Sequence, residues 1–493
     1  MSSQEYLKAE RSAPWREELR KAIKNKERTS MTRVEMNSQD PEVRSRNYEE
    51  VNLGLTAEQA IAEAHRCIDC VNPTCISGCP VEINIPKFIK NIERNEFLEA
   101  AKVLKEASAL PAVCGRVCPQ ERQCESQCFY VQKLNKPAIA IGHLERFAAD
   151  FERESGNIAI PETDPANGIK IAVIGSGPSG LSFAGDMAKK GFDVTVYEAL
   201  HELGGVLRYG IPEFRLPNEI VDTEIDVLAK MGVKFMTNCI IGKTILHEDL
   251  LAEGYQGIFV GSGAGLPHFM HIPGENLNGV MSCNEYLTRI NLMDAANPES
   301  DTPVYMGKKV AVIGGGNTAM DAVRTARRLG AEKAMIVYRR SEEEMPARLE
   351  EIHHGKEEGI VFLTLHNPLK YEGDERGRVQ RMLLQRMELG EPDSSGRKRP
   401  IAIEGDTVWV EVDQVIVSVG VSPNPLIPAT FPGLEITDRG TIVVNSDTMQ
   451  SAQHEIYAGG DIVRGGATVI LAMGDGRKAA KAMAGDLLSK SRA

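Results

Sequence analysis

Residues 171–180 read IAVIGSGPSG, an apolar strand that runs directly into a glycine-rich turn. A strand that is apolar on both faces is typical of a buried parallel sheet. In the turn, Gly175 allows the tight bend, Gly177 lets the backbone approach a pyrophosphate, and Gly180 lets the next helix pack on the strand. The N-terminus of that helix favours the phosphate charge. The stretch therefore predicts an α/β dinucleotide-binding module.

A carboxylate and two downstream segments indicate which dinucleotide binds. The strand at 194–197 ends in Glu198, which is well placed to bind a ribose 2′-hydroxyl. The glycine pair 204–205 and the segment IYAGGD at 456–461 resemble flavin-binding elements of the two-dinucleotide flavoprotein oxidoreductases, in which the late Gly-Asp contacts the ribityl–phosphate region. The resemblance implies FAD at this first site. The residues assigned to it are Gly175, Gly177, Pro178, Ser179, Gly180, Glu198, Gly204, Gly205, Gly460 and Asp461.

A second apolar strand enters a similar turn at residues 310–319, VAVIGGGNTA. The pattern is GxGxxA, in which alanine is still small enough for helix–strand packing. The next strand, at 335–338, ends in Arg339-Arg340, where an NAD site would carry a carboxylate. Arginine would pair with the 2′-phosphate of NADP(H), which an acid would repel. We predict NADPH at this second site, bound by Gly314, Gly316, Asn317, Thr318, Ala319, Arg339 and Arg340.

Simpler explanations exist for three of these features. The glycine turns could merely permit packing, and Asp461 could be an ordinary turn or helix-cap residue. The two arginines could be solvated or pair with the acidic run at 342–344. At both sites, however, the strand, the turn, the helix and the terminal residue fall in register, which favours nucleotide binding.

Eight of the ten cysteines fall between Cys67 and Cys128. They form two groups, Cys67-x2-Cys70-x4-Cys75-x3-Cys79-Pro80 and Cys114-x3-Cys118-Pro119-x4-Cys124-x3-Cys128. Structural zinc usually takes two C-x2-C pairs, or cysteine with histidine. The unequal gaps of the first group and its Cys79-Pro80 ending are closer to the cysteine motifs of ferredoxins, in which the fourth cysteine often binds the other cluster. We predict two [4Fe-4S] clusters, with structural zinc and inert buried thiols as the alternatives.

Three segments carry a resemblance to a known family: AHRCIDC at 64–70, LPAVCGRVCP at 110–119 and GGGNTAMD at 314–321. Along nearly its whole length the chain resembles the small (β) subunit of NADPH-dependent glutamate synthase. The same module resembles the N-terminal part of dihydropyrimidine dehydrogenase and the large subunit of NADH-dependent ferredoxin:NADP oxidoreductase. The fold class that we predict is α/β, with two Rossmann-like dinucleotide-binding domains, one inserted in the other, preceded by an α-helical iron–sulfur domain.

The resemblance also implies how the ligands divide between the two clusters. One cluster would be held by Cys67, Cys70, Cys75 and Cys128, and three corners of the other by Cys79, Cys118 and Cys124. In dihydropyrimidine dehydrogenase a glutamine fills the fourth corner, and Glu145 has the matching position here. Because thiolates are softer ligands than carboxylates, Cys114 is the alternative. We slightly prefer Glu145.

The predicted function is that of an electron-input subunit. NADPH would reduce FAD, and the clusters would carry the electrons to a partner chain. In glutamate synthase that partner is a large catalytic subunit that makes glutamate from glutamine and 2-oxoglutarate, which implies a hetero-oligomer. The alternative is the large subunit of an electron-bifurcating NADH-dependent ferredoxin:NADP oxidoreductase, with a ferredoxin-type acceptor chain; a zinc-filled binding scaffold is a third hypothesis. The sequence does not identify a catalytic side chain.

Composition limits the other classes of function. The chain has 493 residues and a net charge of −12, which disfavours bulk nucleic-acid binding. No stretch approaches the roughly 20 apolar residues that span a bilayer, and residues 1–30 show no export signal. We expect a cytoplasmic protein without a membrane partner.

Domain boundaries follow from linkers and strand patterns. We predict the iron–sulfur domain over 1–160, the FAD-binding domain over 168–285 and 415–493, and the NADPH-binding domain over 286–414. Thr56 and Gln59 predict a capping box at a helix start, and apolar faces predict further helices near 88–92 and 97–104. Residues 1–50 are expected to be an arm partly ordered against a partner, and 371–407 to be turn-rich around a short strand at 382–384.

Overall fold

The computed structural model describes residues 3–393 and 396–490, in which a helical head precedes two parallel-sheet modules. The head covers residues 3–160 and is built from short helices joined by loops. Its helices are α1 (Ser3–Arg11), α2 (Pro14–Ala22), α3 (Asn25–Arg28), α4 (Pro41–Arg44), α5 (Ala57–Arg66), α6 (Thr74–Ser77), α7 (Ile85–Glu93), α8 (Phe97–Ala107), α9 (Pro111–Val117), α10 (Phe129–Leu134) and α11 (Ile141–Glu154). Two short antiparallel strands, β1 (Asn37–Ser38) and β2 (Asn52–Gly54), and a 3-10 turn at Gln120–Arg122 complete it.

The helices that the sequence predicts in the head are confirmed. Gln59 N donates to Thr56 Oγ1 over 3.3 Å, and Thr56 N donates to Gln59 Oε1 over 2.9 Å. This reciprocal pair is a capping box, and it starts α5 at the predicted place. Phe88, Ile89 and Ile92 are all buried on α7, so the apolar face of that helix packs into the core.

The N-terminal arm packs on the head of its own chain, whereas the sequence led us to expect an arm ordered against a partner. Asp69 pairs with Arg16 and Arg20, and Arg28 Nη2 lies 2.6 Å from Glu93 Oε1. Arg28, Asp69 and Arg16 are almost entirely buried. An unpaired buried charge costs several kcal/mol, so these ion pairs fix the arm. The sequence could not show this, because ion pairs between distant residues leave no local pattern.

The first module is a parallel α/β sheet that the chain leaves and re-enters. Its elements are β3 (Lys170–Ile174), α12 (Pro178–Lys189), β4 (Asp193–Tyr197), α13 (Val206–Tyr209), α14 (Asn218–Lys230), β5 (Lys234–Met236), α15 (His247–Ala252), β6 (Tyr255–Val260) and β7 (Leu266–Pro267). The second module follows with β8 (Val280–Ser282), α16 (Cys283–Asn291), β9 (Lys309–Ile313), α17 (Asn317–Arg328), β10 (Lys333–Tyr338), a 3-10 turn at Glu342–Glu344, α18 (Leu349–Glu357), β11 (Val361–Thr364), β12 (His366–Gly373), β13 (Val379–Pro392), β14 (Lys398–Glu411) and β15 (Gln414–Val417). The chain returns through β16 (Val421–Ser422), α19 (Leu426–Thr430), β17 (Ile456–Ala458), α20 (Asp461–Arg464) and α21 (Val469–Lys490).

Strand order shows how the second module is inserted in the first. The first sheet has the order β17-β6-β3-β4-β5 and the second β11-β10-β9-β15-β8, and all their neighbours are parallel. Between the two modules, β7, in the segment that leaves the first sheet, pairs antiparallel with β16, in the segment that returns to it. Since β15 pairs with β9 and β8, residues 414–417 and residues 280–282 belong to the second sheet, whereas the predicted boundaries place 415–493 and 168–285 in the first domain. A fully apolar strand fits the centre of either sheet, so its pattern cannot decide between them.

Helices cover the first sheet and tie it to the head. Phe183 of α12 stacks on Phe259 of β6 with ring centroids 4.3 Å apart. Ser182 Oγ donates to Met473 O over 3.0 Å, which joins α12 to α21. One hydrophobic core runs from the head, for example Leu104, into this module. Over residues 3–393 and 396–490, no helix is both long and apolar enough to span a membrane, α21 included.

A three-stranded antiparallel sheet extends from the second module where we had expected a turn-rich segment. Its order is β12-β13-β14, and β13 and β14 form a hairpin of two 14-residue strands. Met382 and Leu384 are buried against the second module, while Ile401, Val408 and Trp409 stay partly exposed. Because only one face is covered, the strands have a polar composition, which masked their length.

Candidate functional site

The first glycine turn is too tight for larger residues. Gly175 has a φ of +100°, and a Cβ there would lie 2.6 Å from the carbonyl oxygen of Gly261. A Cβ at Gly180 would lie 2.0 Å from the oxygen of Gly175. At Gly177, by contrast, no described atom lies within 4 Å of the corresponding point. Helix α12 begins at the next residue, so the N–H groups of its first turn face a space that suits a phosphate.

Glu198 lies beside this turn and is held there by hydrogen bonds. Its carboxylate accepts from Ser176 N over 2.9 Å, from Ser176 Oγ over 2.5 Å, and from Leu200 N over 2.9 Å. Gly204 N donates to the same serine hydroxyl over 2.9 Å. Gly205 has a φ of +56° and packs on the backbone of the turn. The structure thus brings together the carboxylate and the glycine pair that we assigned to FAD.

The segment Gly460-Asp461 reaches the same turn from the far end of the chain. A Cβ at Gly460 would lie 3.0 Å from Ser179 Cβ. Ser179 Oγ is buried and has no hydrogen-bond partner among the described residues. Asp461 accepts from Ala467 N over 3.0 Å, and burial, with the Asp475 charge adding to it, raises the pKa of Asp461 to about 6. An unpartnered buried hydroxyl and a largely buried carboxylate beside a turn that suits a phosphate fit the polar part of FAD.

The second turn repeats this geometry in the inserted module. Gly314 has a φ of +144°, and a Cβ there would lie 2.3 Å from the carbonyl oxygen of Ser418. Helix α17 begins directly after Gly316, so that residues 317–319 form its first turn. Ala319 is fully buried against the sheet, as its small side chain allows. This turn also fits a pyrophosphate.

The two arginines after β10 have different surroundings. Arg339 is exposed at the carboxyl end of the strand. Arg340 is buried; its Nη2 lies 2.7 Å from Asp393 Oδ2 and its Nε donates to Lys398 O over 2.8 Å. Arg340 therefore contacts the end of the β13–β14 hairpin, where the described residues 392–393 and 396–399 are called the tip below; the sequence did not predict this contact between distant segments.

Four cysteines, which we call the first thiol group, surround one apolar cavity; three come from the first sequence group and Cys128 comes from the second. They line the cavity together with isoleucines of α7, of the loop before α11 and of the first residue of α11: Cys67, Cys70, Cys75 and Cys128, with Ile85, Ile89, Ile139 and Ile141. Burial, with the charges of the other thiols adding to it, raises the pKa of Cys70 to about 12 and that of Cys75 well above its ordinary value. Such thiols lose their protons only when a cation binds, as in a metal cluster.

Buried cations lie behind this group. Lys90 is fully buried, and its Nζ donates to Cys67 O over 2.5 Å and also contacts Glu93. Arg28 donates to the same Cys67 carbonyl over 3.3 Å. These charges would favour the negative charge of thiolates and a cluster. The only indication of these buried cations in the sequence is that Lys90 lies among the apolar residues of α7.

The second group of thiols lies next to a buried carboxylate. Burial raises the pKa of Cys79 and of Cys124. The charge of Glu145 adds to the rise in both and in Cys118, so all three lie near Glu145. For Cys118 the largest cause is a hydrogen bond with Cys114, followed by burial. Glu145 Oε1 is buried without a hydrogen-bond partner among the described residues, and burial raises the pKa of Glu145 to about 8.

All eight cysteines of the head are free thiols. Within the described ranges, no three His, Cys, Asp or Glu side chains converge as the ligands of a single ion do. The ligands of a cubane cluster stand apart around its core, so two separated groups of soft ligands fit [4Fe-4S] clusters.

The two modules and the head meet at one open cleft. From the head it is lined by Pro80 and Pro119, which directly follow Cys79 and Cys118 of the second thiol group. Asn317 of the second glycine turn contributes another wall. Thr468 and Leu471, at the start of α21, contribute the wall from the first module.

Comparison with known proteins agrees with this architecture. Residues 44–157 match the family described as dihydropyrimidine dehydrogenase domain II, 4Fe-4S cluster, and residues 169–476 match pyridine nucleotide-disulphide oxidoreductase. The small chain of glutamate synthase [NADPH] from Halomonas elongata is 35% identical, over 90% of this chain and 96% of that protein. The Escherichia coli small chain is 34% identical, over 91% and 96%. The structure of Mycobacterium tuberculosis FprA in complex with NADPH is similar in fold, with a TM-score of 0.56 and 21% identity over 66% of this chain and 86% of that one.

The fold and the matched families define an NADPH-dependent oxidoreductase with FAD-binding and iron–sulfur domains. This confirms the fold class and the type of enzyme predicted from the sequence. The particular family follows from the relatives, which are matched over almost their whole length. The chain belongs to the family of small chains of NADPH-dependent glutamate synthase.

Proposed function

We propose that this chain is the electron-input subunit of a glutamate synthase. It oxidises NADPH and passes the electrons through FAD and two [4Fe-4S] clusters to a large subunit, which makes glutamate from glutamine and 2-oxoglutarate. Membership of the small-chain family supports the activity. The two separate thiol groups support a count of two clusters.

The observation that carries the proposal is the shared cleft. It brings Asn317 of the second glycine turn, Leu471 of the first module, and the two Cys-Pro segments of the head to one place. Substrate nucleotide, flavin and cluster can therefore be neighbours without a large domain movement. The second thiol group borders this cleft and would be the first to receive electrons.

The side chains of this protein bind and orient, and the cofactors supply the redox chemistry. When bound, FAD takes up two electrons together and releases them singly, which no side chain can do. The turn at Gly177 would bind its pyrophosphate, Glu198 its ribose and Asp461 its ribityl region. The turn at Gly316 would bind the pyrophosphate of NADPH, and Arg339 its 2′-phosphate.

We assign the cluster ligands as the resemblance implied. Cys67, Cys70, Cys75 and Cys128 would hold one cluster, and Cys79, Cys118, Cys124 and Glu145 the other. The buried, unpartnered Oε1 supports Glu145 as the fourth ligand. Cys114 stays the alternative, because it hydrogen-bonds to Cys118 of this group; its Sγ also lies 3.5 Å from Met473 Sδ and 3.7 Å from Ser108 Oγ.

The first thiol group would be the exit to the large subunit. Cys70 and Cys75 are only partly buried. Val71 and Phe129, each next to a cysteine of this group, are exposed apolar side chains. Apolar surface beside a redox centre suits a partner chain that must approach it closely. We place the resulting hetero-oligomer in the cytoplasm.

The test combines the purified chain with the large subunit of a glutamate synthase from the same source. NADPH oxidation should depend on both glutamine and 2-oxoglutarate, and glutamate should form. Ferredoxin reduction coupled to NADH formation with a different partner, and no glutamate with the large subunit, would contradict the proposal.

A further inference from the structure

The tip of the β13–β14 hairpin lies at the carboxyl end of β10. Pro392 pairs with Lys398 as the last rung of the hairpin. Arg340 binds both sides of the tip, through Asp393 Oδ2 at 2.7 Å and Lys398 O at 2.8 Å. The connection between β11 and β12 also joins Arg340 to the middle of β13, because Leu365 N donates to Arg340 O over 3.0 Å and Met387 N donates to Leu365 O over 2.8 Å. The tip is thus anchored beside the predicted 2′-phosphate site.

The tip carries an excess of positive charge. Residues 397–399 read Arg-Lys-Arg, and Lys398 and Arg399 are exposed. The carboxylate of Asp393 offsets the buried guanidinium of Arg340. The other charged residues here are the exposed Arg339, the basic tip and the exposed Glu391, so positive charge still exceeds negative charge. In parallel α/β sheets, ligands bind at the carboxyl ends of the strands, so this charge lies where the adenosine end of a nucleotide would be.

We propose that the hairpin tip completes the 2′-phosphate site, and that Arg340 is a positioning residue that holds the tip there. Arg339 contacts the phosphate from the strand end, and the basic tip contacts it from the opposite side. Side chains of neighbouring strand residues point to opposite faces. One of the two side chains, Lys398 or Arg399, therefore provides most of the tip's contribution to phosphate binding. The inference rests on the proposed binding of NADPH by the second module.

The test measures binding of 2′,5′-ADP and of 5′-AMP to the holoenzyme by titration calorimetry. The variant with both Lys398→Ala and Arg399→Ala should bind 2′,5′-ADP about tenfold more weakly, as expected for one charge-assisted contact. Its affinity for 5′-AMP should be unchanged. Arg376→Ala is the matched control, because Arg376 is exposed in the turn at the other end of β13. The KM for NADPH with ferricyanide as acceptor should rise in parallel while kcat stays constant.

Asp393→Ala separates the positioning role of Arg340 from direct contact. If Arg340 holds the tip, the loss of Asp393 loosens it and weakens 2′,5′-ADP binding several-fold. If Arg340 itself binds the phosphate, removing the competing carboxylate strengthens binding, and the inference is overturned. Tip variants that behave like Arg376→Ala also overturn it. A wild-type enzyme that does not oxidise NADPH would instead remove the proposed function.

Discussion

Arg348 of the second module donates from Nη2 to Oε1 of Gln120, 3.1 Å away, and so joins this module to the loop that carries the second thiol group. Arg348 also binds the backbone oxygen of Arg116 and is almost fully buried. Arg122 donates from the same loop to Pro346 O over 2.9 Å. These contacts hold the cleft between the head and both modules in one shape.

Loss of the Arg348 contact should destabilise this junction. Arg348→Ala leaves buried acceptors unpaired, which costs about 1–3 kcal/mol, so we expect a lower thermal unfolding temperature. The rate at which NADPH reduces the clusters, followed by anaerobic stopped-flow absorbance, should fall as well. Arg439→Ala is the control, because Arg439 is exposed in a remote turn. An Arg348→Ala protein that is as stable and as fast as this control would show that the junction does not depend on Arg348.

The fourth ligand of the second cluster can be assigned by iron analysis. We expect Cys114→Ser to keep about eight iron atoms per chain, the number in two cubane clusters. Glu145→Ala should lose about half of them, because the second cluster would lack one corner. The measurement is iron and acid-labile sulfide in protein prepared without oxygen. Loss of four irons in Cys114→Ser would identify the cysteine as the ligand instead.

The arginines after β10 should decide the choice between NADPH and NADH. Replacing Arg339 and Arg340 together by alanine removes the phosphate contact and the anchor of the hairpin tip. The KM for NADPH should rise about ten- to a hundredfold, the effect of one or two charge-assisted hydrogen bonds, and the KM for NADH should hardly change. Steady-state rates with both nucleotides measure this. An equal rise in the KM for NADPH and in the KM for NADH would refute a 2′-phosphate site at these arginines.

Glu224 should make stability fall as the pH rises. Its carboxyl is buried, accepts from Ala112 N over 2.7 Å, and burial raises its pKa to about 7. A carboxyl whose folded pKa lies above its unfolded value is most stabilising at low pH, and the folded state loses that stability as the pH rises through 7. Glu224→Gln keeps the acceptor without the charge. Its unfolding temperature, relative to wild type, should increase between pH 5 and pH 8; a constant difference would contradict the assignment.

Local patterns predicted the nucleotide turns and several helices well. Gly180, which packs against Gly175 O, and the Thr56–Gln59 capping box each depend on residues a few positions apart, so the sequence shows every residue that the feature needs. The strand at 414–417 was assigned to the wrong sheet because its apolar pattern fits both.

The contacts that join distant segments left no such signal. Arg340 with Asp393, and Arg348 with Gln120, are 53 and 228 residues apart in the chain. Each depends on a charged residue that looks solvated in its own neighbourhood. The buried ion pair of Arg28 with Glu93 is of the same kind. Because the sequence gives no sign of it, the N-terminal arm was expected to order against a partner.

The most direct test of the central claim is an anaerobic titration of the as-purified protein with NADPH, with iron measured on the same sample. We predict flavin absorbance and about eight irons per chain, with bleaching of the flavin and paramagnetic signals of reduced clusters as NADPH is added. A protein without iron, or one whose flavin absorbance does not respond to NADPH, would contradict the account.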